Sequence, residues 1–510
     1  MAILGNLIKT AIELKDRLTP DPDAVPAQEQ VLRNLLETAR NTEFGRKYQF
    51  DRILRSPDFR RVFTETVPMF DYHRLYDQWW HRVVDGERDI TWPGKPQYFA
   101  LSSGTTGSSS KRIPVTDEML AAIRNTGIQQ ITSLANFDLP PEFFEKEIMM
   151  LGSSTDLQQR GNFLEGEISG ISASNIPFWF KGYYKPGDEI AKIDDWDERV
   201  QKIAEKAPEW DIGALSGIPS WIELMLKKVI SYHKLNNIHE IWPSLSVYTP
   251  GGVAFEPYRK SFEKLLARPL IYLDTYLASE GFLAFQGRPN TTAMMLVVDN
   301  GIYFEFVPFE EKNMTDEGNV HPDAEILTLA EVEEERDYVL LISTVAGAWR
   351  YMIGDTIKFT DKARREIIIT GPTKHFLNVV GSQLSVHKMN AAIQELEDRF
   401  QVGIQEFTVA AVRREEDQEY IHKWYLGSDD AMDSAEVAQT LDEVLQGVNK
   451  NYRVARTKAL KDVKVEIIPS DIFYQWSERS KKKGGQVKTP RVMKEEEFFE
   501  WEEFVQEARV

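Results

Sequence analysis

The chain has 510 residues, 42% hydrophobic and 28% charged, enough to bury the cores of two or more soluble domains. Its 61 basic and 80 acidic residues leave a net charge of -19, which argues against sequence-blind nucleic-acid binding and against docking on anionic membranes. It has no cysteine, which excludes disulfides, thiolate metal sites and cysteine nucleophiles and suits a reducing cytoplasm.

Ile3, Leu4, Leu7, Ile8, Ala11, Ile12 and Leu18 recur at helical spacing, so residues 3–18 predict an amphipathic helix docked on the body. Lys9, Glu13, Lys15 and Asp16 argue against a secretory signal, and no apolar run is long enough to span a bilayer. A second helix is expected over 28–40, then a structured connection from Thr42 to Phe50. Residues 53–92 read as helical, with Tyr72, Tyr76, Trp79 and Trp80 as core.

The stretch from Ser102 to Ser110 holds seven hydroxyl residues besides Gly104 and Gly107, and Lys111 and Arg112 follow. Tyr98, Phe99 and Leu101 form a strand-like lead-in. Glycines free the backbone to turn successive N–H groups into one concavity, hydroxyls add donors, and Lys111 adds charge. That chemistry suits a polyphosphate cradle without Walker spacing. The alternative is a flexible Ser/Gly linker.

A helix over 117–134 comes next. Strand-like pieces at 147–151, 269–273, 294–298, 302–307 and 338–344 then alternate with helices at 188–206, 219–235 and 257–266. Alternation of this kind argues for an α/β body, and the closely spaced later strands suggest an added antiparallel or barrel-like part. Arg364–Pro372 reads as a short strand ending in a Gly-Pro turn. Beyond it, helix 386–399, strands 405–413 and 419–426, helix 434–450 and strand 462–468 suggest a separate small α+β domain. The expected fold is therefore α/β: a large N-terminal domain, residues 1–370, and a small, mobile C-terminal domain, residues 371–510, with a hinge about 368–376.

Four further stretches carry candidate chemistry, each with a plainer reading. An apolar strand delivers Tyr276, Ser279 and Glu280 at its C-terminal end, where an aromatic ring can stack on a base, a hydroxyl touch phosphate and a carboxylate hold Mg²⁺; strand-end packing is the alternative. Asp355, after Gly354, offers two acceptors to ribose hydroxyls or is a turn aspartate. Lys481 to Arg491 is a basic Gly-Gly loop able to close over anions, or an exposed tail. Gly251 and Gly252 allow a flat ring against backbone, or form a simple turn. There is no G-x-S-x-G elbow, and the eight histidines lack metal-ligand spacing.

The order of these motifs resembles the acyl acid-amido synthetases of the auxin-responsive Gretchen Hagen type, within the adenylate-forming, firefly luciferase-like superfamily. The matches are Ser102–Pro114, Tyr276–Glu280, Gly354–Asp355 and Gln486–Arg491; Thr42–Phe50 and Gly371–Gln383 also look like the family. The resemblance implies an ATP-dependent ligase that adenylates a carboxylic acid, releases pyrophosphate, and passes the acyl group to an amine, usually of an amino acid. It implies that Ser102, Ser103, Gly104, Thr105, Thr106 and Gly107 hold the phosphates. Tyr276 would lie near adenine beside Gly251 and Gly252, Ser279 near the α-phosphate, and Asp355 on ribose. Glu280 would hold Mg²⁺, and Lys488 would be the catalytic lysine. Partners are then a small carboxylic acid and an amine, with no nucleic acid or membrane. Transfer to coenzyme A and a catalytically silent nucleotide-binding protein are the alternatives. One departure stands out. The plant enzymes read Tyr-Arg-x-Gly-Asp, whereas here Met352 fills the arginine position and Arg350 lies two residues earlier. A two-residue shift along a strand keeps the same face, so Arg350 is expected to stand in.

Overall fold

The computed structural model describes residues 3–18, 22–102, 111–177, 180–252, 255–315, 319–373, 376–377, 384–414, 419–458, 460–479, 489–493 and 495–509. It divides into two compact units: residues 1–253 with 265–369, and residues 254–264 with 370–510.

In the first unit, helix Ala24–Ala39 starts earlier than its apolar pattern suggests and buries Val31, Leu32, Leu35, Leu36 and Ala39. Its Gln28 is buried and fully paired: Nε2 donates to the carbonyls of Val298 and Ile302 at 2.7 and 2.9 Å, and Oε1 accepts from the Phe304 amide at 2.7 Å. One side chain thus ties the helix to the sheet beneath it. The expected long helix over 53–92 is a series of short ones: Phe50–Arg55, Phe59–Thr66, Tyr72–Leu75 and His81–Val84, with a π-helical turn at Tyr76–Trp80. The first two breaks fall at Ser56 and Val67, extended residues that each precede a proline; the proline ring disfavours the helical region there. Trp79 and Trp80 are core, as expected.

Three sheets make up this unit. A five-stranded sheet runs Tyr184–Lys185, Glu147–Leu151, Ile212–Gly217, Val247–Pro250, Ile271–Tyr272, every pair parallel. A four-stranded sheet runs Lys111–Val115, Tyr98–Ser102, Phe163–Gly166, Gln158–Arg160. A seven-stranded sheet runs Thr275–Ala278, Gly281–Phe285, Met294–Leu296, Glu366–Pro372, Tyr351–Asp361, Asp337–Thr344, Ile302–Pro308. Its linear order, with Thr275–Ala278 and Ile302–Pro308 at the ends, gives no support to a barrel. The short strand expected over 364–372 is present as Glu366–Pro372 and pairs with Met294–Leu296 in this sheet.

The second unit is built on strands Glu406–Arg413, Tyr420–Gly427 and Leu460–Ile468. Alternation along the first strand sends Val409 and Ala411 to one core with helices Val386–Phe400 and Ser434–Val448, and Ala410 and Val412 to another with helices Ser470–Arg479 and Glu495–Ala508. Helix Glu256–Glu263 belongs to this unit, although the chain reaches it directly from a strand of the first. Its Tyr258 hydroxyl donates to the Glu406 carboxylate, and Lys260 Nζ lies 3.0 Å from Asp398. Among the described residues no helix is long and apolar enough to cross a membrane.

His422 is fully buried, and neither ring nitrogen has a hydrogen-bond partner. Burial, then the charge of Arg456, pushes its pKa down to about 3. The folded protein keeps the ring neutral while the unfolded chain takes up a proton below about pH 6.5. Its contribution to stability is present above that pH and is lost as pH falls toward 3, by at most ~1.4 kcal/mol per pH unit. Denaturant unfolding of His422→Phe between pH 4 and 8 should therefore show a shallower acid limb than the parent. An unchanged slope would remove His422 as its source.

Candidate active site

The site is assembled from short-range geometry at strand ends. Strand Tyr98–Ser102 pairs antiparallel with Lys111–Val115, Ser102 opposite Lys111, so the Ser/Thr/Gly stretch is closed at its base as a hairpin loop. The hairpin is clamped outside the loop. The Arg112 amide donates to the Tyr72 hydroxyl at 2.9 Å, and Arg112 Nε donates to buried Glu165 at 2.8 Å. Ser103, Gly104, Thr105, Thr106 and Gly107 lie outside the described residues.

The strand expected over 269–273 is short, and Tyr276 stands on the strand that follows it. Ile271–Tyr272 ends the parallel sheet, and Thr275–Ala278 then opens the seven-stranded one. A two-residue turn, Ser279–Glu280, joins Ala278 to its partner Gly281. Tyr276 is buried and Ser279 half-buried. Gly251 follows strand Val247–Pro250 and abuts the same segment: a Cβ there would lie 3.5 Å from Thr275 Oγ1, which itself donates to the Pro250 carbonyl at 2.9 Å. Gly252 has φ +79°, a conformation that favours glycine.

Asp355 reaches the site through a bulge. Leu341 pairs with Met352 and Val339 with Thr356, so Ile353, Gly354 and Asp355 occupy a span the partner strand crosses in one residue. Gly354, at φ +102°, permits it. Asp355 Oδ2 then accepts a 2.5 Å hydrogen bond from the Tyr276 hydroxyl.

Glu280 is the electrostatic centre. It is 7% exposed, and burial pushes its carboxyl up to about 7, against the pull of Lys111 and of a hydrogen bond from the Tyr351 hydroxyl; the nearby Asp355 charge adds to the rise. Lys111 Nζ lies 5.4 Å over the Tyr72 ring. Ser102, Lys111, Gly251, Tyr276, Glu280 and Asp355 are thus brought together by sheet register and side-chain contact. The hydroxyls of Tyr351 and Tyr72 join them, although the sequence reading gave Tyr351 no role and Tyr72 only a core one. Nothing local marks either tyrosine, because each partner is distant in sequence. Lys488 lies outside the described residues. Among the described residues no three metal-ligating side chains converge. A single buried carboxylate beside a lysine fits Mg²⁺ shared with phosphate oxygens, the ordinary way this ion is held, rather than an all-protein cage.

Arg350 does not stand in for the missing arginine. It precedes strand Tyr351–Asp361, has left-handed backbone at φ +44°, and is 3% exposed. Its Nε donates to both Glu305 carboxylate oxygens at 3.1 and 2.9 Å, and Nη1 donates to the Thr64 and Val67 carbonyls at 2.8 and 2.6 Å. Met352 packs with Val307, Val339 and Leu341. The same-face argument fails because the left-handed turn puts Arg350 outside the regular strand. Phe163, whose ring lies 4.5 Å from that of Phe99, is core.

Residues 16–205 match the GH3 family N-terminal domain, residues 295–366 its central domain and residues 387–497 its C-terminal domain. A relative from Arabidopsis thaliana, indole-3-acetic acid-amido synthetase GH3.4, is 22% identical over 95% of this chain and 91% of its own length. Another from Oryza sativa subsp. japonica, jasmonoyl--L-amino acid synthetase GH3.5, is 23% identical over 92% of each. The solved structure of GH3.15 acyl acid amido synthetase shares the fold, with a TM-score of 0.78 and 16% identity over 98% of this chain and 96% of that one.

The buried Arg350–Glu305 pair makes a structural test. Arg350→Met strands a buried carboxylate and should cost about 3–5 kcal/mol in denaturant unfolding, whereas adding Glu305→Leu should recover much of the loss. Nucleotide affinity of the folded fraction should stay within twofold.

Proposed function

The chain belongs to the GH3 family, and from that premise we propose that it is an ATP-dependent ligase joining a carboxylic acid to the amine of an amino acid as an amide. The observation that carries the reading is the junction of Lys111, Glu280, Asp355 and Tyr276 beside the base of the Ser/Thr/Gly loop. In the first half-reaction a carboxylate oxygen attacks the α-phosphorus of ATP, and pyrophosphate leaves with the electrons of the broken P–O bond. In the second the amine attacks the acyl carbon of the adenylate, loses a proton and expels AMP.

The chain's residues have distinct tasks. Ser102 to Gly107 offer hydroxyl and backbone donors to the phosphates, and Lys111 supplies a fixed charge beside them. Asp355 accepts from the ribose hydroxyls, held in place by the Tyr276 hydroxyl. The Tyr276 ring, Gly251 and Gly252 border the base, and Ser279 faces the α-phosphate. Glu280 is the ligand for Mg²⁺, which when bound neutralises charge growing on the phosphoryl oxygens. Lys488, in a small domain spanning residues 371–510 with a hinge about 368–376, is the catalytic lysine of adenylation. Aligned donors and cations of this kind usually supply the largest catalytic effect. A cytoplasmic setting belongs to the same proposal and rests on a sequence without cysteine.

The test is pyrophosphate exchange with a panel of carboxylic acids, followed by product masses with amino acids and with coenzyme A. Exchange should need both ATP and Mg²⁺, and an amide should form; a thioester would move the chain to acyl–coenzyme A chemistry. Lys488→Ala should suppress exchange while leaving ATP binding largely intact, and undiminished exchange would take Lys488 out of the reaction. Asp355→Ala should weaken ATP binding at least tenfold, since hydrogen bonds to a charged acceptor contribute about 1.5–3 kcal/mol each.

A further inference from the structure

The Thr42–Phe50 stretch, which the ligase reading leaves without a task, walls a cavity of about 430 Å³ lined by Arg40, Arg46, Arg52 and Arg55, with Asp51 as its one acid. The four arginines are exposed, and none forms an ion pair with a carboxylate among the described residues. Arg52 has only a 3.3 Å hydrogen bond to the Gln49 side chain. Nearby Glu43 is taken by Arg82, whose two Nη atoms donate to it at 2.7 and 2.9 Å. Four arginines face one lining carboxylate, with the Glu43 charge reaching Arg46 from outside the cavity, an excess of positive charge that stands out in a chain of net charge -19.

The backbone around the cavity is tightly fixed. Gly45 packs so close that a Cβ would meet the Ala39 carbonyl oxygen at 2.2 Å. Thr42 is buried and caps helix Glu43–Lys47 by accepting from the Gly45 amide at 3.0 Å. Gln49 sits in left-handed backbone at φ +54°. Left-handed non-glycine residues of this kind cost energy and cluster at binding sites. Arg46, Arg52 and Arg55 stand in last helical turns, where the helix dipole favours a cation. That preference explains why each is basic, but not why all converge with Arg40 on one cavity.

We propose that this cavity is a binding site for a compact polyanion carrying two or more phosphate groups. Guanidinium forks match phosphate oxygens in pairs, and several arginines in one concavity need a ligand with several negative charges. The site stands on its own geometry and does not depend on the ligase reading.

The experiment titrates inorganic tripolyphosphate by calorimetry into the full-length protein in Mg²⁺-free buffer, with the nucleotide site held by AMP, which carries one phosphate only. The expected result is one further site whose affinity falls at least tenfold in Arg46→Gln/Arg52→Gln and falls steeply with added NaCl. The unliganded variant should melt at the parental temperature or above, because like charges have been removed. ATP competing for this second site would point to a nucleotide polyphosphate, and competition by pyrophosphate alone to a free one. No second site, binding unchanged by the substitutions, or equal displacement by sulfate at the same concentration would each overturn the proposal.

Discussion

A carboxyl group buried beside a lysine and a tyrosine ties together three strand ends of the first unit. Ionising Glu280 in its buried turn is costly, and Lys111 with the Tyr351 hydroxyl only partly offsets the cost. The acid is thereby held above the usual carboxylate range. Its position follows from two strands of the seven-stranded sheet and one hairpin of the four-stranded sheet. The Ser279–Glu280 turn, the Tyr351 strand and the Lys111 register must all be in place before the carboxyl is poised at all.

Much of this arrangement was legible in the sequence, and the reasons are local. Glycine and hydroxyl density marked the Ser102–Ser110 loop. Asp355, read as a ribose acceptor at a strand end or a turn aspartate, stands instead in a bulge within strand Tyr351–Asp361. What could not be read were contacts between residues far apart in the chain. Tyr351 touching Glu280, Tyr72 receiving the Arg112 amide, and helix Glu256–Glu263 joining the later unit through Tyr258 all depend on packing that no short-range pattern encodes. Arg350 misled for a different reason. Strand periodicity predicts facing only inside a regular strand, and its backbone is left-handed. The helix breaks at Ser56 and Val67 were available all along in the prolines that follow them.

The departure at Met352 has a physical meaning. The family's arginine position is here part of an apolar cluster with Val307, Val339 and Leu341. Arg350 is neutralised by Glu305 and bonded to two backbone carbonyls, although its buried Nη2 has no hydrogen-bond partner. Positive charge near Asp355 and Glu280 therefore falls to Lys111 among the described residues, where the plant pattern would place an arginine as well.

The hairpin beneath the Ser/Thr/Gly loop carries a consequence for how such proteins vary. Its pairing runs unbroken from Tyr98 and Val115 up to Ser102 and Lys111, so the lysine's position is set by the stem and is indifferent to how many residues the tip contains. Closing a longer tip costs little entropy. A change in tip length would therefore leave the Lys111 backbone in register, whereas the hydroxyl and glycine content of the tip stays tied to the phosphate role proposed for it.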